Sequence, residues 1–307
     1  MKETKTIIYF KHGLGNLIML TPAIQALASM DESKQVDICL SSHWDDARRP
    51  AFDDYLSKWD IVQDVINYPA MQFVKKYTTW FYTGHSEQSD ALNIFMKKAK
   101  INPVSPDWRG SNVHEVYWYM DIVRRLGYTG EIFNQYVPVS EKSILTKKKK
   151  CLYIGICNGT YSNRMKAAKQ WPYYDLLVET LQNYYGAKII KIGYEDELKD
   201  IKCDLDYVNK LSFTENAKLI SELDLLITTD TANMHVGDAL NIPMVVLFGG
   251  TLISKNGAIS KKAINVSIDL PCQPCQRTPA FYNCLHYDCI NKLQVSDVMQ
   301  AVRSILK

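Results

Sequence analysis

No run of about 18 uninterrupted apolar residues occurs in the 307 residues, so no membrane-spanning helix is expected. Charge of either sign is nearly balanced, with a net +3, which argues against wholesale nucleic-acid binding. Such slight basicity favours contact with an anionic lipid surface only weakly. Low-complexity tracts are missing as well. At the N-terminus, Met1-Lys-Glu-Thr-Lys5 leads straight into a strand-like run and lacks the pattern of a signal peptide. The expectation is a cytoplasmic chain, peripheral at most to the inner face of a membrane. In that compartment the eight cysteines are not a disulfide framework. Cys39, Cys151, Cys157 and Cys203 are scattered and read as packing residues, whereas Cys272, Cys275, Cys284 and Cys289 cluster.

What is present is an ordinary globular composition, 47% hydrophobic. The length suits two domains of about 150 residues each. Val137-Pro-Val-Ser-Glu-Lys142 and the run Lys147 to Lys150 form a polar, charged connection, which sets the expected domains at 1–145 and 146–307.

The second half carries the most informative stretch. Leu223 to Thr228 reads as a buried strand, and Asp230, Thr231 and Asn233 crowd the start of a short helix, where such side chains cap free amides. Asn241 and Pro243 stop the helix, and Met244 to Phe248 reads as the next strand. Strand, turn, helix and strand are the building block of a parallel α/β sheet, whose ligands bind beyond the carboxyl ends of the strands. Helix amides there favour an anion, most naturally a phosphate. His235, one turn into the helix, can donate to an anionic oxygen or a ribose.

The first half opens with a similar unit. Thr6 to Phe10 is a strand, Lys11-His-Gly-Leu-Gly-Asn16 a glycine turn, and Leu17 to Ala28 a helix with Pro22 in its first turns. Further strands are expected at Gln35 to Ser41, Ile61 to Tyr68 and from Thr78, and helices at Asp45 to Trp59 and His114 to Gly127. In the second half, Ile154 to Ser162 ends a strand in a loop rich in glycine and hydroxyls. A helix then starts at Pro172, burying Tyr173, Leu176, Leu177, Leu181 and Tyr184 before Gly186 ends it. Ala187 to Gly193 is a strand followed by the acidic Tyr194-Glu-Asp-Glu197, and Thr214 is a cap candidate for a helix reaching Leu223. Val295 to Leu306 is an amphipathic packing helix. The four clustered cysteines, at spacings x2, x8 and x4, suggest a closed structural zinc or iron site.

Three blocks, in order, resemble one family. D-T-A-N-M-H-V-G-D-A-L-N-I-P-M-V-V-L-F-G-G-T (230–251) is similar to the D-[ST]-G-x-M-H-x-A-x-A-L-x-x-P-x-V-x-L-F-G-x-T signature of heptosyltransferase-like glycosyltransferases of family 9. Ala232 and Gly237 depart from it without removing a polar group. G-L-G-N-L-I-M-L-T-P-A-I-Q-A-L (13–27) looks like the family's G-x-G-D-x-x-x-x-T-P-A-[IL]-x-A-L, and the loop up to Lys169-Gln-Trp-Pro172 looks like its G-x-x-x…K-x-W-P motif. Pro271-Cys-Gln-Pro-Cys-Gln-Arg277 is also similar to a cysteine-rich family segment.

The resemblance implies a GT-B fold: two Rossmann-like domains with parallel sheets facing a central cleft, acceptor on the N-terminal side and donor on the C-terminal side. It implies an inverting transferase using a nucleotide-sugar donor, ADP-heptose-like by kinship, with a glycan, lipopolysaccharide or protein acceptor and no catalytic metal. Gly13, Gly15, Thr160, Ser162, Lys169, Asp230, Thr231 and His235 would bind the donor, Glu195 (or Glu197) its ribose, and Lys169 would also offset charge on the leaving diphosphate. Asn16 stands where the family commonly has Asp as the favoured general base, and an amide cannot take a proton at neutral pH. His12, together with His85, Glu87 and Asp107 of the expected acceptor rim, are candidates to replace it. Two other readings follow from the same residues: a nucleotide- or sugar-binding protein that does not turn over, and a sugar-nucleotide epimerase.

Overall fold

The computed structural model describes residues 4–40, 49–67, 77–83, 112–148, 150–159, 166–193, 198–276 and 278–307. The chain divides into two compact units, Met1–Pro138 and Val139–Lys307. No helix among the described residues is long and apolar enough to cross a membrane.

The first unit has strands β1 (Thr6–Phe10), β2 (Val36–Leu40), β3 (Val62–Asn67) and β4 (Thr79–Tyr82), in the order β3-β2-β1-β4. All pairings are parallel. Its described helices are α1 (Leu14–Met30), α2 (Arg49–Leu56) and α3 (Glu115–Arg125). β1 and β2 are buried at every position, as near-continuous apolar runs in a covered parallel sheet should be. α1 begins three residues earlier than its apolar face suggests and continues to Met30, so Pro22 lies in its interior rather than in its first turns. A proline there leaves the carbonyl four residues back without its amide. The Thr21 hydroxyl covers that carbonyl, donating to Ile18 O at 2.7 Å while accepting from Tyr136 N–H at 2.8 Å. Thr-Pro thus lets the helix run on. α3 is capped by His114, whose Nδ1 accepts from Val116 N–H, and its chain leaves through Gly127 at φ +105°.

The second unit has β5 (Tyr153–Cys157), β6 (Lys188–Lys191), β7 (Leu205–Asp206), β8 (Leu225–Thr229), β9 (Met244–Leu247) and β10 (Ala263–Val266). They form one parallel sheet in the order β10-β9-β8-β5-β6-β7. The helices are α4 (Lys166–Lys169), α5 (Tyr174–Tyr185), α6 (Phe213–Ser221), α7 (Ala232–Ala239), α8 (Ile253–Asn256), α9 (Pro279–Tyr282), α10 (Asp288–Asn291) and α11 (Val295–Ile305). Trp171, Leu177 and Leu181 pack with Ile154, Val245, Val298 and Val302 in a continuous core.

Several elements differ in detail from expectation. α5 starts at Tyr174, and its buried stripe is Tyr174, Leu177, Val178 and Leu181; Leu176 and Tyr184 are 50% and 64% exposed. Burial at i, i+3, i+4 and i+7 makes one helix face; Leu177 and Leu181 are on it as expected, whereas Tyr174 and Val178 take the places expected of Tyr173, Leu176 and Tyr184. The cap of α6 is Ser212, in a reciprocal box with Glu215, and Thr214 is buried in the first turn. Residues 139–145 belong with the second unit, so the division falls ahead of the expected boundary. Ser140 N–H donates to Thr214 O, while the Ser143 hydroxyl and the Ile144 and Leu145 amides all donate to the Glu222 carboxylate.

Candidate functional site

Strand order locates the site before any side chain is considered. In the second sheet the chain runs outward from β5 to β6 and β7, then returns beside β5 as β8 and leaves the other way to β9 and β10. The carboxyl ends of β5 and β8 are therefore the switch point at which an open parallel sheet leaves a crevice.

Lys169, the last residue of α4, donates from Nζ to Asp230 Oδ2 at 2.7 Å and to the Asp230 carbonyl at 3.0 Å. Both side chains are largely buried, 12% and 9% exposed. The lysine's register is set by its neighbours: Trp171 N–H donates to Asn158 Oδ1, and Asn158 Nδ2 returns a bond to Trp171 O. The Trp171 indole N–H is fixed to Leu293 O at 2.8 Å. Gly249, after β9, lies against the same helix, where a β-carbon would meet Ala168 O at 2.2 Å. No other residue fits there without moving backbone. Burial alone would push the Asp230 carboxyl up, but Lys169 and His235 beside it hold it below the usual carboxylate range.

α7 opens at this point. Thr231 is its N-cap in extended conformation, yet its side chain makes no capping bond; the hydroxyl instead pairs with the Thr228 hydroxyl at 3.3 Å. The amides of the first turn of α7 are thus not covered by the side chain that usually closes such an end. Asn233, expected among the capping residues, is buried and holds other elements together: Nδ2 donates to Cys157 Sγ, and Oδ1 accepts from Asn216. His235 is buried in the first turns and adjoins Asp230. The Thr229 hydroxyl, at the end of β8, is buried without a partner among the described residues. At Gly237 the room an alanine methyl would need is filled by the Met244 sulfur.

In the first unit the corresponding switch point lies between β1 and β4. His12 follows β1, and its Nε2 lies 2.6 Å from Thr83 O beyond β4. Gly13 caps α1 in extended backbone and Gly15 lies in the first turn. Asn16 Nδ2 donates to Glu115 Oε1 at 2.8 Å, and the Tyr119 hydroxyl donates to the same oxygen at 2.6 Å. Glu115 is a buried carboxylate that pattern reading passed over: it is 99 residues from Asn16, and its one local signal is an acidic residue in a first helical turn. Thr160, Ser162, Glu195 and Glu197, and likewise His85, Glu87 and Asp107, lie outside the described residues.

Among the described residues no three His, Cys, Asp or Glu side chains are placed to hold a metal ion together, although Cys272, Cys275 and Cys284 all lie near enough to Cys289 to act on its thiol. Cys275 faces Gly250 and Cys289 faces Gly249, Cys272 is exposed, and Cys284 Sγ accepts from Tyr287 N–H. Burial, helped by the neighbouring cysteines, pushes the Cys289 thiol up to about 11.

Two parallel-sheet, Rossmann-like units in one chain define the GT-B class of fold. The chain belongs to glycosyltransferase family 9 (heptosyltransferase), whose family model matches residues 111–286, more than half of the chain. Over 73 residues it is 30% identical to lipopolysaccharide heptosyltransferase 1 of Pseudomonas aeruginosa; the matched stretch is 24% of this chain and 21% of that protein. The structure of E. coli ADP-heptose lps heptosyltransferase II superposes with a TM-score of 0.72 over 98% of both chains at 16% identity. TibC from enterotoxigenic E. coli H10407, a dodecameric iron-containing heptosyltransferase solved in complex with ADP-D-beta-D-heptose, gives 0.68 at 14% identity. That match covers all of this chain and 77% of TibC.

Proposed function

We propose that the chain is an inverting glycosyltransferase that moves a heptose-like sugar from a nucleoside diphosphate donor to a hydroxyl of a glycan, lipopolysaccharide or protein. Residues 1–138 would bind the acceptor and residues 139–307 the donor. The observation that carries this reading is the Lys169–Asp230 pair beside the uncapped start of α7. Asp230 and its carbonyl occupy two of the lysine's three N–H donors and aim the third. Membership of family 9 and the ADP-heptose named for related structures support the donor class.

In the reaction, an acceptor hydroxyl oxygen attacks the anomeric carbon as the bond to the diphosphate breaks on the opposite face, so the configuration inverts and the hydroxyl proton passes to His12 or to water. Negative charge grows on the departing phosphate, and Lys169 with the α7 amides stabilises it without having to reorganise. His235 adds a donor to a phosphate or ribose oxygen. Thr160 and Ser162 would serve the diphosphate and Glu195 the ribose. The transfer would be cytoplasmic, at the inner membrane face where a lipid-borne acceptor is used, and unaffected by a chelator. Lys169→Ala should lower kcat about 100-fold or more, the scale of losing one preorganised donor to a developing charge. Nucleotide-sugar consumption measures this, and an unchanged rate would refute the role.

A second reading has one observation in its favour. Asn16 is not a base, so a protein that binds nucleotide sugars without turnover accounts for the same donor site. Nucleotide binding with no product from any acceptor would select it.

A further inference from the structure

Asn16 and Glu115 carry an inference that rests on the acceptor role of residues 1–138. The buried carboxylates described in this unit are Asp31, Asp37 and Glu115. Asp31 binds the Thr4 and Thr6 hydroxyls and the Lys5 amide, ahead of β1. Asp37, near the start of β2, accepts from the Tyr77 hydroxyl and the Asp64 amide. Both serve the amino ends of the strands. Glu115 alone of the three adjoins the carboxyl edge, at the first turns of α1 and α3.

An ionised carboxylate accepts hydrogen bonds and donates none, so only the amide nitrogen of Asn16 can face it. The amide is planar, and its oxygen must then point the other way. It does: a β-carbon on Gly13 would stand 3.8 Å from Asn16 Oδ1, so that oxygen faces the glycine turn. Tyr119, bonded to the same Glu115 oxygen, keeps the carboxylate from turning with the amide.

We propose that Glu115 is a positioning residue: it fixes the Asn16 amide so that Oδ1 is presented at the glycine turn, where it accepts a hydrogen bond from the acceptor hydroxyl. The Glu115 carboxyl group is then held a single hydrogen bond behind the side chain that meets substrate. The device is distinct from a base at position 16, and it specifies which amino acid may stand opposite which.

The swap tests it. Glu115→Gln lets two amides pair in either sense, so Asn16 loses its imposed orientation. Asn16→Asp sets two carboxylates in contact, which repel. When both substitutions are combined, the amide now on α3 can donate to the carboxylate now on α1, and a carboxylate oxygen again faces the turn. Each single variant should lower kcat/KM for the acceptor about tenfold, the scale of one misdirected hydrogen bond, with the donor KM unchanged. The double variant should return to within about threefold of the parent or exceed it, a strong departure from additivity. Singles equal to the parent, or losses that add in the double, would overturn the proposal. Should the parent transfer nothing at all, the glycosyltransferase reading and the acceptor-hydroxyl role both fall. Melting temperatures of the same four proteins then still report on the pairing by itself: recovery in the double retains it, and additive losses remove it.

Discussion

Lys169 and Asp230 show what a buried ion pair does for function when each partner also has a second task. The carboxylate holds the ammonium in register, and the Asp230 carbonyl takes a second N–H, so the lysine is oriented before any phosphate arrives. Asp230→Asn would leave a buried ammonium without its counter-charge. We expect a loss of about 3–5 kcal/mol in urea unfolding, the scale for breaking such a pair; a change under about 1 kcal/mol would mean the pair is solvated. The clustered cysteines make a second prediction at this scale. With the Cys289 thiol up at about 11, it is almost wholly protonated at pH 8 and reacts slowly, whereas exposed Cys272 should be modified first by a thiol reagent. Peptide mapping of a brief alkylation checks the order, and early labelling of Cys289 would contradict it.

At the scale of the element, α1 depends on a local substitution of one donor for another. Thr21→Val leaves Ile18 O and Tyr136 N–H without their shared hydroxyl and should destabilise the protein by about 1–3 kcal/mol, read by chemical denaturation. No change would mean that water serves those groups equally well. The repeated strand–turn–helix units were legible because their strands are short, fully buried apolar runs followed by glycine or hydroxyl residues. β7 and β10 were not: two and four residues long and at best half-buried, they show no clear period. Pro22 reads locally as a helix-start residue; its true position depends on a hydroxyl in the preceding residue. Lys169 could be picked out because Trp171-Pro172 follows it, and the structure ties that register to Asn158 and Leu293. Glu115 could not, since no spacing along the chain links it to Asn16, and only packing of α1 on α3 brings them together.

In each of the two units, a parallel sheet whose strand order reverses beside its first strand carries polar residues at that switch, which is a consequence of topology rather than of any one motif. Stability should follow carboxyls distributed over both units. Burial raises Asp31, Asp204, Asp206, Glu222 and Asp230, but hydrogen bonds and cations outweigh it and bring each below its ordinary value of 3.8 or 4.5. A depressed carboxyl favours the folded state fully above the unfolded value and loses that contribution as pH falls through the folded one. Thermal melts should therefore show little change in this contribution from pH 7 to 6 and a steep loss below about pH 4. A chain equally stable at pH 3 would contradict that assignment. The most direct test of the account is a crystal structure with ADP bound. It should hold the diphosphate within about 3 Å of Lys169 Nζ and the first amides of α7; a diphosphate bound away from Lys169 and the end of β8 would contradict it.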